Sequence, residues 1–156
     1  GGGAIRQDGL QESDYRKLGK ALDEISRRAE DIGLTTSFHP HMGSLVESPG
    51  QLDKVMEHTG VWLCPDCGHV FLGGGNPYQI TEKYLERIKY FHLKGVNENG
   101  VFCALDQGEI DFGPILKLLK GCKRKIELAV ECDANSSEPG QDARATARYL
   151  AEHGMK

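Results

Sequence analysis

The chain has no apolar run approaching the roughly twenty residues needed to cross a bilayer, so no membrane-spanning segment is expected. It has no surplus of positive charge either. Nineteen Lys and Arg stand against 23 Asp and Glu, for a net charge of −4, which leaves no electrostatic footprint for nucleic acid. The one basic run, from Lys120 to Lys125, reads as a solvated loop before a strand. Cysteines are few and odd in number: Cys64, Cys67, Cys103, Cys122 and Cys132. That pattern excludes a disulfide framework and suits reduced thiols in a cytoplasm. Gly1-Gly2-Gly3-Ala4-Ile5-Arg6 lacks the charged-then-apolar pattern of a signal peptide. No internal repeat or low-complexity segment is visible.

What is present is periodicity. At 156 residues the chain is expected to be one domain, 1–156, with an adequate core. Tyr15, Leu18, Leu22, Ile25, Ala29 and Ile32 recur every three or four residues, which predicts a helix from about Glu12 to Ile32 with Ser13 as its cap. Leu34 to His39 reads as a strand. Ser48-Pro49-Gly50-Gln51 announces a second helix through a capping box. Val61 to Cys64 is a short apolar strand, Gly68 to Gly75 a loop, and Asn76-Pro77 the start of a third helix. Tyr90 to Leu93 is a strand, followed by a long connection over 94–108. Asp111 caps a helix, Lys125 to Glu131 is the last strand, and a final helix spans Gln141 to His153. This alternation predicts an α/β fold with a parallel sheet and right-handed crossovers.

Four chemistry-bearing side chains, Glu47, Asp66, His92 and Glu131, each lie at or just past a strand end. Each has a bland reading. Asp66 suits a helix or turn cap, His92 a satisfied core histidine, Glu131 a salt bridge with Lys94, and Glu47 a solvated loop position. Their joint occurrence is harder to explain so, because in a βα-repeat protein the strand C-termini share one face. Three clustered carboxylates need a compensating cation. Three carboxylates and an imidazole favour Mn²⁺, Mg²⁺ or Co²⁺ and also admit Zn²⁺. Cys64-x-x-Cys67 with His69 offers a rival, a redox pair or a zinc knuckle. The absence of a helix start at the pair and of a second cysteine pair argues against both. The thiols then read as small buried hydrophobes, and Gly73-Gly74-Gly75 as a flexible turn without the lysine and hydroxyl of a phosphate loop.

Three segments together resemble one family. They are His39-Pro40-His41-Met42-Gly43-Ser44-Leu45-Val46-Glu47, Asp66-Cys67-Gly68-His69 and His92-Leu93-Lys94. In combination they resemble the xylose-isomerase-like sugar isomerase and epimerase superfamily of TIM barrels, and within it the inosose dehydratase branch. The resemblance implies a divalent metal held by Glu47, Asp66, His92 and Glu131. It implies substrate contacts from His39, His41, His69 and Lys94, and catalytic roles for Glu47, Glu131, His69 and Lys94. A full (β/α)8 barrel has eight strands and about 250 residues, so the chain is expected to hold strands five to eight, with Gly1 to Ala4 as the remnant of strand four. Such a half barrel would pair with a copy of itself or with a missing N-terminal half. The family's chemistry implies proton removal beside a sugar or inositol carbonyl through an enediolate. Loss of a β-hydroxyl then gives dehydration of a keto-inositol; reprotonation gives ketose isomerisation or epimerisation. A catalytically inactive half domain is the remaining alternative.

Overall fold

Four short parallel strands set the architecture. The computed structural model describes residues 9–132 and 138–155, so the suggested strand-four remnant lies outside the described residues. β1 (Ser37–Phe38) pairs with β2 (Trp62–Leu63), and both run parallel. β3 (Tyr90–Leu93) follows, then β4 (Gly95–Val96), β5 (Phe102–Cys103) and β6 (Glu127–Val130). β6 lies parallel to β3 with His92 opposite Ala129. Single parallel bridges, Leu63 to Ile88 and Asp66 to His92, join β2 to β3. The parallel order is therefore β1, β2, β3, β6, and all four C-terminal ends share one rim. This is half of a TIM barrel.

Phe91 and Leu93 point to one face of β3 and are fully buried, whereas Tyr90 and His92 point to the other. The buried face packs on the helices that follow the strands. Leu52 and Val55 come from α2 (Pro49–Glu57), and Ile80 from α4 (Pro77–Tyr84). Phe112, Ile115 and Leu116 come from α5 (Phe112–Gly121). α1 (Glu12–Glu30), α3 (Cys67–Leu72) and α6 (Pro139–Glu152) complete the set. The sequence signals at three helix starts hold. Ser48 and Gln51 form the expected box, with the Ser48 amide donating to Gln51 Oε1 at 3.0 Å. Asn76 accepts from the Gln79 amide at 3.1 Å, and Asp111 from the Gly113 amide at 2.9 Å.

Elsewhere the structure differs from the sequence reading. α1 begins at Gln11, whose amide donates to Asp14 at 3.0 Å, instead of being capped by Ser13. Its apolar stripe is half used: Tyr15 is buried, but Ile25 and Ile32 are 56% and 73% exposed, because no described element covers its C-terminal half. The first strand shrinks from six residues to Ser37–Phe38. Gly68 to Gly75 is no plain loop, since Asp66 caps α3 there. The long connection after β3 folds into an antiparallel hairpin, β4 with β5. Its turn contains Asn99-Gly100, with Gly100 at φ +73° and the Asn97 side chain accepting from the Asn99 and Val101 amides. Arg124 is not solvated; its guanidinium donates to the carbonyls of Leu85 and Ile88 and ties β6 to the base of β3. Of the thiols only Cys64 and Cys67 are buried, and Cys132 is exposed. No helix among the described residues is long and apolar enough to cross a membrane.

Phe91 sits at the centre of this packing. Phe91→Ala is expected to lower stability by about 3–5 kcal/mol, measured as the shift in the urea unfolding midpoint.

Candidate metal centre

At the rim, Asp66, His92 and Glu131 each bring one donor atom to within 4.8 Å of the others. Each arrives for a local reason. Asp66 follows β2 and divides its carboxylate: Oδ1 accepts from the His69 amide at 3.0 Å and starts α3, while Oδ2 turns into the cluster. The cap and ligand readings of Asp66 are therefore compatible. His92 reaches the cluster from the open face of β3. Glu131 is held as the residue after β6 by its amide, which donates to the Leu93 carbonyl at 3.0 Å. His92 Nδ1 stands 3.1 Å from Glu131 Oε1 and 3.6 Å from Asp66 Oδ2. The longer separation is an ion-pair distance beyond hydrogen-bond reach.

Lys94 lies in the same cluster and is only 1% exposed. Its Nζ is 3.2 Å from Asp66 Oδ2, 2.9 Å from Glu131 Oε2 and 3.3 Å from His69 Nε2. The suggested Glu131–Lys94 salt bridge is thus present, and Asp66 shares the ammonium. The Phe102 ring covers it, with Nζ 4.9 Å from the ring centroid. Sequence reasoning missed Phe102, although the Asn99-Gly100 pair could have revealed the hairpin that delivers it.

Glu47 stands apart from the other three carboxyl and imidazole groups. Its Oε2 accepts from the Gly43 amide at 2.8 Å, closing its own turn. The residue lines a narrow crevice with Pro40 and His69, at the edge of a wall of histidines. In that wall the rings of His41 and His69 lie 3.6 Å apart, and His39 lies 4.8 Å from His92. His39 Nδ1 is 3.2 Å from the Cys64 carbonyl and His41 Nδ1 is 2.7 Å from that of Met42. With those carbonyls accepting, each ring is left with Nε2 as its lone-pair atom. His39, His41 and His69 also form a donor group of their own, as do His39, Cys64 and His92. A cavity of 660 Å³ lies elsewhere, between Gly74–Tyr78 and Glu109, Ile110, Asp111, Pro114 and Ile115, and contains none of these residues.

Burial opposes the Asp66 charge, yet the His92 ring, the His69 amide and the Lys94 ammonium outweigh it and hold the carboxyl at about 2. Burial pushes His69 down to about 4, against the pull of Asp66. Burial also lowers His39. These rings are neutral at pH 7 and can accept or ligate. Burial raises the Cys64 thiol to about 12 and the Cys67 thiol well above its ordinary value. Cys67 does open a helix, contrary to the sequence reading, but α3 has only six residues and the thiol stays protonated.

The family pattern described as "Xylose isomerase-like TIM barrel" matches residues 2–153. The chain belongs to that family. Inosose dehydratase of Clostridium beijerinckii is 33% identical over 92% of this chain and 56% of its own length. The inosose dehydratase of Clostridium tetani is 29% identical over 90% of this chain and 55% of its own. The chain thus spans little more than half the length of these relatives. Among solved structures, a D-tagatose 3-epimerase-like protein superposes with a TM-score of 0.76 at 21% identity, over 97% of this chain and 59% of that one. The IolI protein, solved with a bound zinc atom, gives 0.75 at 17% identity, over 96% and 59%. At those identities the likeness is one of fold.

Whether a cation suits these residues can be judged from their own atoms. Asp66 Oδ2 and His92 Nδ1 are buried and make no well-directed hydrogen bond, although Lys94 and Glu131 stand at ion-pair distance from them. Unsatisfied buried polar atoms are costly and rare. Two carboxylates and an imidazole of this kind fit a divalent ion.

Two outcomes follow. Asp66→Asn leaves Lys94 with one carboxylate in place of two and is expected to cost about 3 kcal/mol at pH 7. Because the folded carboxyl titrates below its usual value, its contribution is complete above about pH 4 and drains as pH falls through about 2. The difference between wild type and variant in urea midpoint should therefore shrink toward pH 2. Cys64→Ser and Cys67→Ser should leave the metal content of purified protein unchanged, measured by elemental analysis.

Proposed function

We propose that the chain is the metal-binding half of an enzyme that removes a proton beside the carbonyl of a sugar or inositol, and that its substrate is a keto-inositol which it dehydrates. The observation that carries this reading is the convergence of one ligand atom each from Asp66, His92 and Glu131 within 4.8 Å at the strand ends, with Asp66 Oδ2 and His92 Nδ1 lacking a well-directed hydrogen bond. The relation to inosose dehydratases at 33% identity supports the choice of substrate. The rim lies where TIM-barrel enzymes gather their chemistry.

In this reading Asp66, His92 and Glu131 hold one divalent cation, Mn²⁺, Co²⁺, Mg²⁺ or Zn²⁺, with Glu47 as the fourth ligand. When bound, the ion supplies a Lewis acid for the substrate's carbonyl oxygen. The protein's own groups do the rest. Glu131 or Glu47 takes the α-proton. Glu47 can turn inward only by releasing the Gly43 amide. His69 and Lys94, 3.3 Å apart, stand on the side from which a departing hydroxyl would be protonated. General acid–base help of this kind is worth about 10²–10⁴ in rate. His39 and His41 line the same mouth and position the substrate's hydroxyls. The chain works as one domain in the cytoplasm, completed by a second half barrel that covers the open edges of β1 and β6.

Incubation with scyllo- or myo-inosose and Mn²⁺ tests the substrate, with loss of the ketone followed by its absorbance. An unchanged inosose with turnover of a ketose would assign the chain to the isomerases and epimerases. Metal titration tests the site: wild type should bind one ion, and His92→Ala or Glu131→Gln should weaken binding by at least about tenfold. A chain that binds no ion in either form is an inactive half domain.

A further inference from the structure

A second cation is already in the metal cluster. The Lys94 ammonium lies 3.2 Å from Asp66 and 2.9 Å from Glu131, the two carboxylates assigned above to the metal. It is not a rim lysine that strays inward, for its side chain is 1% exposed. Packing fixes it there. Gly68 has no side chain, and a Cβ at that position would stand 3.0 Å from both Lys94 Cγ and the Phe102 ring. β5 closes over the top.

We infer that Lys94 is a built-in counter-ion that competes with the divalent metal for Asp66 and Glu131. It withdraws onto His69 and the face of Phe102 when the metal enters. This inference rests on the metal-centre reading above. Two like charges within contact of the same carboxylates repel by several kcal/mol even at an effective dielectric of about 20. Lys94 cannot share both carboxylates with a divalent ion at no cost. From the same position its Nζ also stands 3.3 Å from His69 Nε2 and 4.9 Å from the Phe102 centroid, so a small withdrawal from the carboxylates keeps two partners. Without metal, the ammonium neutralises buried Asp66 and half-buried Glu131 and preserves the shape of the cluster. With metal, the displaced ammonium is free of both carboxylates and beside His69, where the proposed chemistry needs a donor. Lys94 thereby couples metal loading to the position of a substrate-facing group.

The test is Mn²⁺ affinity by calorimetry, together with the rise in melting temperature that saturating Mn²⁺ produces. Lys94→Met and Lys94→Gln should each bind Mn²⁺ roughly tenfold more tightly than wild type, or better. Their metal-free forms should melt lower and gain more from the ion. A purely structural lysine would give the opposite, since its loss would loosen the cluster and weaken binding. Phe102→Leu removes the aromatic partner. It should weaken Mn²⁺ binding in the wild-type background and leave it unchanged in the Lys94→Gln background. Lys94 variants that bind no more tightly than a metal-binding wild type would overturn the inference alone, as would unchanged affinity in Phe102→Leu. A wild type that binds no Mn²⁺ would remove the metal centre itself and this inference with it.

Discussion

The structure is organised around the burial of charge at the ends of its parallel strands. Asp66 is fully buried and Lys94 nearly so. Taking each ion out of water costs several kcal/mol, and their attraction offsets this only with close geometry and further hydrogen bonds. The surrounding chain supplies both. α3 starts at Asp66 and gives it an amide. The Asp66–His92 bridge sets β2 against β3. The β4–β5 hairpin roofs Lys94 with Phe102. The chain reverses at the end of α3, where a Cβ on Gly73 would lie 2.0 Å from the Glu47 carbonyl oxygen. Removing one member of this group exposes the charge of another.

This arrangement explains why the cluster is incompletely satisfied. Lys94 offers one positive charge to two acids, and the fixed strand register leaves Asp66 Oδ2 and His92 Nδ1 without well-directed hydrogen bonds. A folded core removes such defects where it can. Here three of them, on Asp66, His69 and His92, stand at the rim where strand ends converge, and Thr36 Oγ1 is another before β1. His39 and His69, whose burial lowers their pKa, add donor atoms without adding charge, and the protonated thiols of Cys64 and Cys67 add neither. Glu47 differs because it is held by a local turn, not by a strand, so its orientation answers to Gly43.

The half-barrel form carries its own physical signature. β1 and β6 each have a strand neighbour on one side only among the described residues, and open edges invite pairing. Tyr90 and Val130 are 39% and 44% exposed, and the stripe on α1 runs out beyond Leu22. The chain spans 56% of the length of its Clostridium beijerinckii relative.

Much of this was legible in the sequence because it is local. Helical periodicity, the Ser48–Gln51 box, the Asn76 and Asp111 caps and the apolar strands each depend on residues within one or two turns. Their order implies parallel strands, and thus a shared rim for Asp66, His92 and Glu131. The sequence could not say how each side chain divides its bonds. Asp66 serves a cap and a cluster at once, Glu47 turns to its own loop, Arg124 is drawn under β3, and Phe102 returns over Lys94 from eight residues downstream. Those outcomes depend on which atoms compete for each donor once distant segments meet. Periodicity therefore determined the elements and their order, whereas desolvation and hydrogen-bond competition, which exist only in the packed chain, decided the site.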